Sequence, residues 1–315
     1  MSASDPMFDT GVSASGFTVW QDREPDAVRR VPIGKHAVTV YSYGWGEEVL
    51  FLLNGGPGLP CDYLREPHLP LVDHGFRVVV HDQLGTGRSD RPADPALWTL
   101  HRYVDEVECV LDALQLERVH FLGHSWGGWC GIEYAVRYPD RIASMVLADT
   151  CADIPHLLGE IERLRGALGS ETVAMMQRHE ALRRYDHPAY AAAVTLLDQR
   201  HIRRLPQRPK PSQRSHDGFN RSIFRAVQGP NEYHYTGSIQ TFQRLEALRR
   251  FDWPTLVLNG AHDALTPACG RLMHEALVES TLQIFADSSH SPFYEEPEAY
   301  RACLLGFLDR QRAVA

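Results

Sequence analysis

Lysine is almost missing from this chain: of 32 Lys and Arg residues only Lys35 and Lys210 are lysines, and the rest are arginines. Acids outnumber bases, 40 Asp and Glu leaving a formal net charge of -8. That balance excludes the basic footprint of a nucleic-acid binder. The six cysteines (Cys61, Cys109, Cys130, Cys151, Cys269 and Cys303) form no C-x-x-C pair and have no ligand-like spacing to histidine, so no metal site is expected. They read as buried free thiols in a reducing compartment. No apolar run reaches the length of a membrane helix, and "MSASDPMFDT" lacks the basic start and apolar stretch of a signal peptide. Internal repeats and low-complexity domains are also missing. The expectation is a cytoplasmic protein with no cofactor, no membrane partner and no nucleic-acid partner.

What is present is an ordinary globular composition, 43% hydrophobic and 23% charged, over 315 residues. That length suits one large domain with an insertion, or two domains. Residues 17 to 45 alternate in the manner of antiparallel strands at a sheet edge. Then come short continuous apolar runs, "EVLFLLNGG", "FRVVVHDQ", "RVHFLGHS", "ASMVLADT", "PTLVLNGAHD" and "LQIFADSSH", each ending in small or polar residues. Such runs suit parallel strands buried on both faces. Helical patterns such as "HRYVDEVECVLDALQL" lie between them, and the alternation predicts an α/β fold with a mostly parallel sheet flanked by helices. It breaks from about Ala152 to Leu248, a helical stretch rich in Arg and His with a loop-like "LPQRPKPSQRSHDG". The expected organisation is a core of residues 1–151 and 249–315 with a helical cap inserted at 152–248.

The chemistry starts at "GHSWGG". A G-x-S-x-G serine that follows a buried strand and opens a helix has the setting of a nucleophile elbow, where a tight turn lifts the hydroxyl above the sheet. Ser125 is that serine; a structural turn serine is the plain alternative. A serine hydroxyl needs a base, and the base needs a carboxylate to orient it. In the chain order Ser, Asp, His, Asp263 follows "PTLVLNG" and His290 follows "LQIFADSS". Both stand at strand ends on the edge that carries Ser125, although a turn aspartate and one of 16 histidines at the surface are the plain readings. The developing oxyanion needs two preorganised N–H donors. Trp126, next after the nucleophile, supplies one, and the loop "NGGPG" (Asn54 to Gly58) the other.

Together "NGGPG", "DQLGTGRSD", "GHSWGG", "GAHDALTP" and "SSHSPFYEEP" resemble the proline iminopeptidase family of α/β-hydrolases, close to its tricorn-interacting aminopeptidases, from about Phe17 to Leu308. The resemblance implies an α/β-hydrolase fold with an inserted helical cap. It makes Ser125, Asp263 and His290 the triad and the amides of Gly56 and Trp126 the oxyanion hole. It also makes Glu232, in "VQGPNEYHYTG", the carboxylate that binds the substrate amine, and it implies neither cofactor nor metal. The chain departs from the family at Asn54, where histidine is usual, and at Ala264, where the tricorn-interacting member has a second amine-binding glutamate. The expected activity is a serine hydrolase that cleaves an amide bond next to a free α-amine, on a short peptide or a small-molecule amide. Ala264 tilts the expectation toward small amino-acid amides. An esterase or lactonase, and a non-enzymatic receptor, are the other readings.

Overall fold

The computed structural model describes residues 10–312; apart from Thr10, the N-terminal stretch read above lies outside them. Eight strands form one sheet in the order β1-β2-β4-β3-β5-β6-β7-β8. β1 (Ala27–Ile33) and β2 (His36–Tyr43) make the expected antiparallel edge. β2 alone runs against its neighbours, and β3 (Val49–Leu53), β4 (Arg77–Asp82), β5 (Val119–His124), β6 (Ile142–Ala148), β7 (Thr255–Gly260) and β8 (Ser280–Phe285) are parallel. Every residue of β3, β5 and β7 is buried. Their sequences show why no polar alternation marks them: side chains alternate between two apolar layers, Phe51, Leu53 and Phe121 on one face, Leu50, Leu52 and Leu122 on the other.

Helices α1 (Asp62–His68), α2 (Leu100–Ala113) and α3 (Trp126–Arg137) cover the first half of the sheet. In α2, Tyr103, Val104, Val107, Val110 and Leu111 form the buried stripe, and Thr99 caps the helix by accepting the Arg102 N–H. Between β6 and β7 the chain leaves the sheet and forms α4 (Ile154–Gly166), α5 (Ser170–Ala181), α6 (Pro188–His201), α7 (Lys210–Asp217), α8 (Arg221–Val227) and α9 (Leu245–Leu248). A buried ion pair binds three of these together. Arg165 of α4 donates twice to Glu180 of α5, at 2.9 Å each, and Tyr190 of α6 donates to the same carboxylate. α7 pins the segment to the core through Arg214 and the buried Glu66 of α1, at 2.5 Å, and Ser215 accepts the Tyr63 N–H. The stretch read as a loop therefore contains a helix, begun by Lys210 and Pro211, where a proline in the first turn loses no hydrogen bond. α10 (Pro267–Ala276), α11 (Pro292–Glu295) and α12 (Pro297–Arg312) complete the fold.

No described helix is long and apolar enough to cross a membrane. All six cysteines are free, but the expectation of burial fails at Cys109, which is exposed on α2, and at Cys303, half-buried on α12. Cys109 lies off the apolar stripe of α2, and Cys303 at the margin of the buried face of α12.

The carboxyl ends of β3, β5, β6, β7 and β8 point to one edge, the edge where open α/β sheets bind ligands. At its centre α3 starts so close to β3 that a Cβ on Gly127 would sit 1.9 Å from the Leu53 carbonyl oxygen. Gly127→Ala is therefore expected to push strand and helix apart, costing about 1 to 3 kcal/mol of stability and lowering Tm by several degrees. A thermal melt unchanged from wild type would refute this account of the packing.

Candidate active site

Ser125 stands between β5 and α3 at φ 56° and ψ -122°, a conformation that costs a non-glycine residue on the order of 1 to 3 kcal/mol. Local bonds hold it there: the Ser125 N–H donates to the Ala148 carbonyl at 3.0 Å, and its carbonyl accepts from Thr150 Oγ1 at 2.9 Å and from the Gly128 N–H at 2.8 Å. The turn lifts the Ser125 side chain into a cavity of about 320 Å³ that His290, Gly56 and Glu232 also line. Four residues read from sequence thus share one space.

His290 is buried, and its Nδ1 lies 2.8 Å from Asp263 Oδ1. A carboxylate only accepts, so Nδ1 carries the proton and Nε2 is left as the basic nitrogen. Burial pulls the imidazole down to about 4, against the opposing field of Glu295. It is neutral at pH 7, as a base must be.

A second carboxyl lies behind Asp263. Asp149, at the end of β6, is wholly buried and accepts the Gly260 N–H at 2.9 Å through Oδ1. Its Oδ2 and the Oδ2 of Asp263 have no other partner, and the two carboxyls are within hydrogen-bonding reach of each other. Both cannot ionise so close together. Burial pushes both up, but Asp263 also accepts from His290 and from the Leu265 N–H at 3.1 Å, so it carries the charge. Asp149, raised by burial and by the Asp263 charge, keeps its proton and donates to Asp263.

Trp126 opens α3, and the N–H of a first helical residue has no intrahelical acceptor. Gly56 takes φ 126°, which a residue with a Cβ rarely adopts. Gln83, from "DQLGTG", braces the two: it donates to the Asn54 carbonyl at 2.9 Å and accepts from Trp126 Nε1 at 3.0 Å. Asn54 holds its own loop by donating to the Leu59 carbonyl at 2.8 Å.

A chain of hydrogen bonds then joins this loop to the histidine loop. The Gly55 N–H donates to Tyr63 Oη at 2.5 Å, Tyr63 Oη lies 2.9 Å from His124 Nδ1, and His124 Nε2 lies 2.8 Å from the His290 carbonyl. Carbonyls only accept, so His124 donates from Nε2 and accepts the Tyr63 hydroxyl at Nδ1. Burial and the neighbouring His290 pull His124 well down, in keeping with this neutral tautomer.

Glu232 sits on the loop after α8, where Gln228 Nε2 donates to its Oε2. Among the described residues it has no ion-pair partner. It keeps a partly open face to the cavity, yet protein crowds it closely, and burial, with Asp198 and Asp263 adding to it, pushes the carboxyl up to about 8. Asp198, on α6, lines the same cavity. Ala264 does not: it is fully buried in the core, with its N–H on the His201 carbonyl at 3.0 Å. The absent glutamate at 264 therefore does not leave the cavity with a single carboxylate.

Sequence reasoning missed Asp149, Asp198 and the Tyr63–His124 link. Asp149 had a signal, an acid ending the run "ASMVLADT". Asp198 and Tyr63 lie in unremarkable helical stretches, and only the fold brings them to the cavity.

A family model described as the alpha/beta hydrolase fold matches residues 48–297. A proline iminopeptidase of Saccharolobus solfataricus is 31% identical over 263 residues, 83% of this chain and 84% of that protein. Among solved structures, VinJ superposes with a TM-score of 0.86 at 29% identity, covering 91% of this chain and 100% of that one. The proline iminopeptidase of Mycobacterium smegmatis gives 0.83 at 30% identity, with 91% and 99% covered. Fold and site define an α/β-hydrolase, a hydrolytic enzyme. Within that class the chain belongs to the proline iminopeptidase family.

The hydrogen-bond chain through Tyr63 is testable on its own. Tyr63→Phe removes the acceptor of the Gly55 N–H and the donor to a buried imidazole, which is expected to cost about 1 to 3 kcal/mol of stability. It is also expected to lower kcat roughly tenfold, because the loop carrying Gly56 loses its anchor to Tyr63. A variant with full kcat would show that the link is incidental.

Proposed function

We propose that this chain is a serine aminopeptidase that cleaves the amide bond following a residue with a free α-amine. The observation that carries this reading is Glu232, a crowded carboxylate without a cationic partner on the same cavity as Ser125 and His290. A substrate ammonium is the missing partner. In such a setting a charge-assisted hydrogen bond is stronger than in water, and Asp198 adds a second negative charge to the wall.

In the proposed mechanism Ser125 Oγ attacks the scissile carbonyl carbon as its proton passes to His290 Nε2. Asp263 stabilises the imidazolium and fixes the tautomer. Asp149 keeps the far oxygen of Asp263 satisfied by donating an O–H to it. The amides of Gly56 and Trp126 receive the oxyanion. Collapse of the tetrahedral intermediate sends the Nε2 proton to the leaving nitrogen and leaves an acyl-Ser125, which water hydrolyses by the same steps. The helical segment 152–248 acts as a cap that supplies Glu232 and Asp198 and limits the site to small substrates. A cytoplasmic location belongs to the same reading.

Ser125→Ala is expected to keep its fold and lose turnover by roughly ten thousand-fold or more, and a serine-directed phosphonate is expected to label Ser125 in the wild type. Activity surviving in this variant would remove the triad assignment.

Glu232 predicts a pH profile. Its carboxyl is charged only above about 8, while a substrate α-amine loses its proton above about 8. The pair needs one charge of each sign, so kcat/KM on free-amine peptides should rise to a maximum near pH 8 and fall beyond it. His290, already neutral well below that range, adds no limb there. Glu232→Gln should remove the rising limb and cost roughly ten- to a hundred-fold on these peptides, leaving amine-free aryl esters nearly unaffected. Equal losses on both substrate types would make Glu232 structural.

A further inference from the structure

The wall of the cavity formed by the α6–α7 connection and the start of α8 carries three arginines: Arg203 just past α6, Arg208 just before α7, and Arg221, the first residue of α8. Several buried or half-buried arginines elsewhere in the chain have carboxylates in contact, among them Arg65, Arg102, Arg141, Arg165, Arg214 and Arg244. These three have no ion pair among the described residues. Arg203 donates to the Leu205 carbonyl at 3.0 Å and Arg208 to Ser212 Oγ at 3.4 Å, while Arg221 lies 5.1 Å from the centre of the Phe219 ring. Asp198 and Asp217 act on Arg208 only through their field. Burial and the neighbouring charge of Arg203 depress the Arg208 guanidinium, and burial with Arg208, Arg221 and Arg203 depresses His216 on the same wall.

Gathering like charges in a partly desolvated wall is unfavourable. Asp198 and Asp217 offset it only through their field and without contact, which leaves guanidinium donors open to a counter-charge from outside the chain. The cavity thus carries both signs of charge, the carboxylates Glu232 and Asp198 and the guanidiniums of Arg203, Arg208 and Arg221. A zwitterion fits that polarity. Guanidinium groups also offer the paired donors that a carboxylate accepts best.

We propose that Arg203, Arg208 and Arg221 form an anion subsite on the leaving-group side of the cavity, which takes the α-carboxylate of a dipeptide or tripeptide whose amine is held by Glu232. The proposal rests on the aminopeptidase reading and narrows its substrate to short peptides with a free carboxyl terminus. Small amino-acid amides, favoured by the sequence at Ala264, lack the group these arginines would bind.

The test compares kcat/KM for prolyl-glycine and alanyl-glycine with their C-terminal amides, and with the N-acetylated dipeptides. In the wild type the free acids are expected to exceed the amides by roughly ten- to a hundred-fold, and the ratio is expected to shrink as salt is raised. Arg203→Gln and Arg208→Gln should move the ratio toward one, and Arg208→Lys should keep part of it. A wild-type ratio near one, with the amides turned over well, would overturn the subsite and leave the aminopeptidase reading standing. So would a high ratio that the arginine variants leave intact. Turnover of N-acetylated dipeptides equal to that of the free amines would overturn the amine reading instead. If the glutamine variants do not fold, the wild-type ratio and its salt dependence decide.

Discussion

The strained turn at Ser125 is the constraint from which the rest of the site follows. A serine at φ 56° is stable only where surrounding contacts over-determine it, and here β6 holds it from one side through the Ala148 carbonyl while α3 presses in from the other. That close approach requires glycine at 127, and it brings the first turn of α3 against the end of β3. The first turn of α3, which Trp126 opens, thereby comes beside the loop that follows β3 and carries Gly56. In the proposed mechanism, one packing contact between strand and helix thus sets both the nucleophile and an oxyanion donor.

Burial is the second thread, and it acts with opposite sign on acids and bases. It lowers His290 so that the imidazole is neutral, and raises Asp149 so that its proton is retained. It raises Glu232, a carboxyl that would gain more from a neighbouring cation than an exposed one would. Burial therefore acts on His290, Asp149 and Glu232 together.

The sheet was legible in the sequence because parallel strands buried on both faces must be continuously apolar, as β3, β5 and β7 are, and three of the runs end at Gly56, Ser125 and His290 on the cavity, although β8, at the edge, is mostly half-buried. The placement of Ser125, Asp263 and His290 could be read for the same reason: each stands at a strand end, and strand ends are local features of sequence. Residues contributed by helices were not legible. Asp198, Arg203 and Arg208 look like solvated helix and loop charges, and only the way α6 and α7 pack over the sheet turns them inward. Ala264 misled for a related reason, since its place beside Asp263 in sequence suggested the rim of the site, whereas the turn after β7 points it into the core.

This contrast has a mechanistic basis. Bond-making atoms must be held to a fraction of an ångström, a demand best met by strand ends tied into a buried sheet. Charge recognition at the two ends of a substrate tolerates looser placement, because ionic attraction falls gradually with distance. Helices joined by Arg165 and Glu180 and fastened to the core at Glu66 are rigid enough for that task. Substitutions among the charges on α6, α7 and the loop after α8 can then redirect what the cavity accepts without disturbing the turn at Ser125. The sign and spacing of those charges, more than the triad, are where substrate preference in this chain is written.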